Sequence, residues 1–199
     1  LTDHTDNTSR TEASSTPDEY GHGVYVPRPV DPRWTTRPET PADRAAVHAI
    51  NTAAFPTRDE ADLVDALRAD AEAWLPELGH VAEAPDGSPA AYALLTRCRV
   101  GDAPALALAP VATSPAYQRQ GAGQAVVRAV LNAARMRGEA LVLVLGHPEY
   151  YPRFGFVPAS RYGIRPGFEV PDEAMMALVL DDSVPVPAGM IRYPAAFGV

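Results

Sequence analysis

The chain contains no lysine: all 17 of its strongly basic side chains are arginines. Arginine stays protonated and offers no free amine, so Schiff-base and lysine-base chemistry are excluded. A single cysteine, Cys98, excludes an internal disulfide framework and a cysteine-cluster zinc site. No apolar run approaches the ~20 residues needed to span a bilayer. The first residues show neither the basic nor the apolar region of a signal peptide, so a cytoplasmic location is expected. Positive charge is in deficit: 17 basic against 25 acidic side chains give a net charge of −8. That balance argues against a general nucleic-acid binder, which needs a basic surface. It suits amine-bearing partners only weakly.

What is present fits one soluble domain with an appendage. Of the 199 residues, 46% are hydrophobic and 21% charged, ordinary for a globular protein. The 21 prolines and many alanines fit a GC-rich bacterial genome. Residues 1–32 are rich in Thr, Ser, Asp and Glu, with Val24-Tyr25-Val26 as their apolar island. Such composition does not offset its ordering entropy, so 1–32 is expected to be a disordered tail and 33–199 a single domain.

From Arg33 the punctuation becomes regular. Residues 34–37 read as a short strand. Thr40-Pro41-Ala42-Asp43 opens a helix with a capping residue, a proline at the first position and an acid in the first turn. A second helix starts near Asp59, with Leu63, Val64 and Leu67 on one face. Residues 80–84 and 90–100 are strands around the turn Pro85-Asp86-Gly87-Ser88. A further strand follows at 105–113. The helix over 121–137 has a polar stripe of Gln124, Arg128, Asn132 and Arg135 and a dry side of Ala122, Val126, Ala129, Val130 and Ala133. Residues 140–145 are apolar throughout, as in a strand buried on both faces. A strand at 175–180 completes an α/β fold: a mixed, mostly antiparallel sheet of about six to seven strands, flanked by helices, with one parallel crossover.

Three features carry chemistry. The turn Gln118-Arg119-Gln120-Gly121-Ala122-Gly123 places two glycines at a helix N-terminus directly after a strand. Backbone N–H groups and the helix dipole at such a place attract phosphate, and Arg119 adds a fixed cation. It is not a P-loop, which needs lysine, nor a dinucleotide fingerprint, since Val126 stands where the third glycine belongs. A tight turn that binds nothing would use the same glycines. Pro110, inside an apolar strand, leaves one ladder hydrogen bond unmade, either at a sheet edge or at a bulge where neighbouring strands part. The segment His147-Pro148-Glu149-Tyr150-Tyr151-Pro152-Arg153-Phe154-Gly155-Phe156 follows the buried strand, where open α/β sheets bind ligands. Its aromatics would equally serve as a small core cluster.

Together, Gln118-x-x-Gly121-x-Gly123 after an interrupted strand and Tyr151-Pro152-Arg153-Phe154-Gly155-Phe156 after the next one resemble the GNAT superfamily of acyl-CoA-dependent N-acetyltransferases. The resemblance spans roughly residues 33–182 and implies a GNAT-like sheet with splayed central parallel strands. It implies that Gln118, Arg119, Gln120, Gly121, Ala122 and Gly123 hold the pyrophosphate of acetyl-CoA, and that the backbone of Val111 meets the pantetheine and thioester. It also implies that Tyr151 protonates the departing thiolate. A phenol suits that role because it is protonated at neutral pH and close to a thiol in acidity.

The implied reaction is direct acetyl transfer to a primary amine, with acetyl-CoA as cosubstrate and no metal. The expected partners are a small-molecule or peptide amine and, in a homodimer, a second copy; no nucleic acid and no membrane are expected. A silent CoA-binding regulator, or a transferase of another acyl group, fits the same motifs. An alkyl amine is neutral about once in 10³ molecules at pH 7, so a base is needed. Residues 105–112 hold no carboxylate, leaving His147, Glu83 or a water. Cys98 lacks a base partner and reads as a small apolar residue. Acceptor specificity is expected in the two N-terminal helices and in residues 159–173.

Overall fold

A computed structural model describes residues 23–199. Its strands are β1 (Thr35–Pro38), β2 (Gly79–Glu83), β3 (Pro89–Val100), β4 (Ala103–Thr113), β5 (Leu141–Leu145), β6 (Val157–Pro158), β7 (Ile164–Arg165), β8 (Met175–Val179) and β9 (Gly189–Arg192). Its helices are α1 (Arg44–Ala54), α2 (Asp59–Ala69) and α3 (Ala122–Met136). Seven strands run in the order β1-β2-β3-β4-β5-β8-β6, while β9 pairs with the end of β3 and with β7. All neighbours in the seven-strand run are antiparallel except β4 and β5, which are parallel and joined through α3. The expected mixed, mostly antiparallel α/β sheet is therefore observed. The count rises to nine because β6, β7 and β9 are ladders of two to four residues, too short to show a period.

Alternation along the strands sorts the core into two layers. Ala91, Ala93 and Leu95 of β3, with Leu106 and Leu108 of β4, pack against Ala122, Val126 and Val130 of α3. Tyr92 and Leu94 lie on the opposite face with Val47 of α1 and Val64 and Leu67 of α2. Leu141 and Leu143 of β5 extend that second face toward Cys98 and Ile191. Both faces of β5 are covered, as its unbroken apolar run requires.

The turn before α1 differs in detail from the expected cap. Pro41–Asp43 form a 3-10 turn, and Thr40 donates both its backbone N–H (2.7 Å) and its hydroxyl (2.8 Å) to Asp43 Oδ2. Asp43 also receives both terminal nitrogens of Arg37, whose Nε reaches Glu83 Oε1 at 2.7 Å. This pairing holds the Asp43 carboxyl well below the usual carboxylate range.

Part of the expected tail is built into the fold. Residues 1–22 lie outside the described residues, but the chain from Gly23 is packed. Tyr25 N–H donates to the Val179 carbonyl at 2.6 Å, and the Val179 N–H donates to the Gly23 carbonyl at 2.6 Å. The Tyr25 ring is buried and its hydroxyl donates to Asn132 Oδ1 at 2.7 Å. Tyr25 thus reaches the polar stripe of α3 at Asn132, while Val24 packs beside Val179 and Val26 stays exposed; local composition reveals neither partner.

Candidate active site

One extra residue in β4 shapes the site. Along β3 and β4, Ala93 faces Val111 and Leu95 faces Leu108, so Leu94 alone opposes Ala109 and Pro110. That is a bulge, and it inverts the alternation of β4 beyond it. Val111 and Thr113 therefore lie on the α3 face, together with Ala93 and Ala91. On its other edge β4 pairs with β5 only at Leu106↔Val142 and Ala107↔Leu143. Past these positions the parallel strands part, and Leu145 at the end of β5 is 46% exposed.

The gap opens into a groove of about 700 Å³. Val111 and Thr113 line it from β4, and Gln118, Arg119, Gly121, Gly123 and Gln124 from the turn and first residues of α3. His147, Tyr150, Tyr151 and Arg153 line it from beyond β5, and Ala54 and Phe55 from the end of α1. The structure thus gathers Val111, Gln118, Arg119, Gly121, Gly123 and Tyr151 around one space. Gln120 and Ala122 are not on its walls. The Gln120 side chain donates to the Ala116 carbonyl at 2.8 Å, and the Ala122 methyl is buried in the core. What Ala122 offers is backbone: as the first residue of α3 its N–H has no intrahelical acceptor, while Gln120 belongs to the turn ahead of the helix.

The turn itself has backbone features of an anion nest. Arg119 (φ 59°) and Gly121 (φ 95°) are both left-handed and flank Gln120, and left-handed residues in a turn are what such nests are built from. Gly121 is required by this conformation rather than by crowding, since the nearest atom to a β-carbon there would be Trp34 Nε1 at 3.5 Å. Gly123 is required by space: a β-carbon would stand 2.9 Å from Thr113 Oγ1 and 3.3 Å from the Tyr150 hydroxyl. Trp34 braces the turn, its indole N–H donating to the Gln120 carbonyl at 3.1 Å and its ring meeting Tyr117 edge-on at 6.0 Å.

Tyr151 opens the 3-10 turn Tyr151–Phe154. Its ring lies against Gly146, where any β-carbon would collide with it. Tyr150 meets it edge-on at 5.1 Å, and Phe156 closes the cluster at 5.7 Å. Burial pushes the Tyr151 phenol well above its usual pKa, and Tyr150 adds to the shift. The group therefore keeps its proton through the neutral range. Tyr150 is raised too, mainly by burial, with Arg153 and Arg128 opposing.

Of the two side chains considered as bases, His147 is exposed on the groove wall. Glu83 is not on that wall and is ion-paired with Arg37. Cys98 is buried, which pushes its thiol up to about 12 and removes it as a nucleophile. Sequence reasoning missed Gly146 and Trp34, while the Ala54-Phe55 wall lies at the end of the first of the two helices expected to select the acceptor.

A family model described as the acetyltransferase (GNAT) family matches residues 44–156, from the start of α1 to the end of the tyrosine segment. The chain belongs to this family. The uncharacterized N-acetyltransferase YjhQ of Escherichia coli K12 is 36% identical over 137 residues, covering 66% of this chain and 75% of that protein. The uncharacterized N-acetyltransferase YhbS of Escherichia coli K12 is 30% identical over 166 residues, covering 81% and 96%. The crystal structure of YhbS in complex with CoA superimposes with a TM-score of 0.78 at 28% identity, over 86% of this chain and 97% of that one. A GNAT family acetyltransferase from Brucella melitensis in complex with acetyl-CoA gives 0.67 at 30% identity, over 82% and 97%. Among the described residues no helix is long and apolar enough to cross a membrane, and no group of three or more His, Cys, Asp or Glu residues could hold a metal ion.

Proposed function

We propose that this GNAT-family acyltransferase moves an acetyl group from acetyl-CoA to a primary amine by direct transfer, both substrates being bound at once. The observation that carries the reading is the convergence of the strand gap, the left-handed turn at the α3 N-terminus and Tyr151 on one groove. The pyrophosphate sits on the 118–123 turn, met by its N–H groups and by Arg119. The pantetheine runs along the edge of β4 that β5 leaves free, beside Val111. The thioester then lies near Tyr151, and the amine enters from the side of Phe55 and His147.

The amine nitrogen attacks the thioester carbonyl, its proton passes to His147 or to water, and the C–S bond breaks as the amide forms. The departing thiolate takes the Tyr151 proton, giving free CoA thiol. A thiolate in the same buried groove is desolvated as the phenol is, so its proton affinity rises in parallel and the transfer stays matched. The enzyme contributes position and a proton, with no covalent intermediate. Calorimetry with CoA, followed by thiol release from acetyl-CoA across a panel of amines, tests this. Saturable binding and amine-dependent thiol release are expected. No binding removes the reading; binding without turnover leaves the silent regulator; turnover only with a longer acyl-CoA redefines the donor.

A further inference from the structure

A second groove, of about 510 Å³, adjoins the first, and Gln124 and Arg153 line both. Three arginines from three separate segments converge on it: Arg28 from the residues before β1, Arg128 from α3 and Arg153 from the 3-10 turn after β5. In a chain of net charge −8 this is a local reversal of sign. Among the described residues none of the three forms an ion pair.

Two of the guanidinium groups are braced by their own surroundings. Arg153 stacks over Tyr150 at 4.4 Å and donates its Nε to the Tyr150 carbonyl at 2.7 Å. Arg128 lies over the Phe154 ring at 6.0 Å. The carboxylates nearby are Glu149, exposed on the groove rim, and Asp31, close enough to feel the charge of Arg128. Asp31 is engaged with Arg33, which donates to both of its carboxylate oxygens. Guanidinium forks match phosphate oxygens, and a phosphomonoester carries close to two negative charges at pH 7.

We infer that the Arg28–Arg128–Arg153 groove is a phosphomonoester site that takes the phosphate on the ribose of CoA, completed by an arginine from the segment ahead of β1. This rests on the reading that the first groove holds CoA. With the pyrophosphate on the 118–123 turn, the ribose phosphate is the next anion along the donor and the adjoining groove is where it lands.

Calorimetry on the full chain with CoA and with dephospho-CoA tests it. Dephospho-CoA binds about tenfold more weakly or worse, the loss of a charge-assisted contact. Arg28→Gln and Arg128→Gln each cut CoA affinity by about tenfold and leave dephospho-CoA within about twofold. Millimolar inorganic phosphate lowers CoA affinity toward that of dephospho-CoA and leaves dephospho-CoA unchanged. Equal binding of the two ligands by the unaltered protein, or variants that weaken both alike, overturns the inference and leaves the transferase reading intact. Absence of binding by either ligand overturns both. Phosphate that binds but does not compete with CoA assigns the groove to a free anion and overturns the CoA assignment.

Discussion

The two halves of β4 do different jobs. Residues 103–108 pair with β3, and within them Leu106 and Ala107 also pair with β5; their side chains are mostly buried. Residues 111–113 pair with β3 alone, and Val111 and Thr113 face a groove. Between them stands the Ala109-Pro110 bulge. Before it, hydrogen bonds and apolar contacts are used up in holding the sheet together. After it, a strand edge and two side chains are left for a ligand. One inserted residue separates stability from chemistry, so the two can be perturbed independently.

The sharpest break of that comparison is at the acid on the open side. Tyr151→Phe keeps the ring against Gly146 and removes the proton, so turnover falls roughly 10²–10⁴-fold. CoA affinity and melting temperature barely move. Tyr150→Phe is the internal control and keeps near-full activity; the reverse pattern shifts the assignment by one residue, and it is read by steady-state thiol release.

On the closed side, Leu106→Ala leaves a cavity under α3 and costs roughly 2–5 kcal/mol of stability in denaturant unfolding. Below its melting temperature the variant retains CoA affinity, because no groove residue has moved. A large loss of affinity at full folding would show that the two halves are coupled.

A pH effect comes from the row His80–Ala93–Val111, which crosses β2, β3 and β4 at the bulge. His80 Nδ1 is buried without a partner among the described residues, and burial lowers its pKa from 6.5 to about 4. The folded state resists protonation where the unfolded chain accepts it, so the unfolded state binds more protons between these values. Stability is therefore undiminished above pH 6.5 and falls on acidification toward pH 4, by up to about 3 kcal/mol. His80→Leu flattens that part of the stability–pH curve. An unchanged slope would place the acid sensitivity on the carboxylates instead.

The smallest effect is at the turn. Gly121→Ala puts a β-carbon on a left-handed residue at a cost of roughly 1–2 kcal/mol. The added methyl meets no atom closer than 3.5 Å. A modest drop in melting temperature with a larger proportional loss of CoA affinity is expected, because the nest relaxes where the anion binds. Equal losses in both would mean that the turn serves folding alone.

Much of this was legible before the structure. The polar stripe and glycine entry of α3, the unbroken apolar run of β5, the hairpin at Pro85-Asp86-Gly87-Ser88 and the interruption at Pro110 each follow from local rules of period, propensity and turn chemistry. Those rules act over a few residues, and so does their signal. β6, β7 and β9 carried none, because two to four residues do not make a period and their pairing is chosen by distant neighbours. Glu83 looked available as a base because the sequence does not show Arg37 beside it. Val24-Tyr25-Val26 looked like part of a free tail because the partners of its apolar island are Val179 and Asn132, more than a hundred residues away.

The sequence by itself determined the order of the three helices and of six of the strands, the absence of lysine chemistry and the residue types at the glycine turn and the tyrosine segment, since these depend on composition and short-range spacing. Only the tertiary structure decided which way those residues face. Whether Pro110 makes an edge or a bulge depends on the partner strands. With β3 paired to β4 on both sides of the bulge and β5 paired to β4 only as far as Leu143, the extra residue becomes a bulge, turns Val111 and Thr113 toward α3 and opens the groove in which Tyr151 and the turn meet.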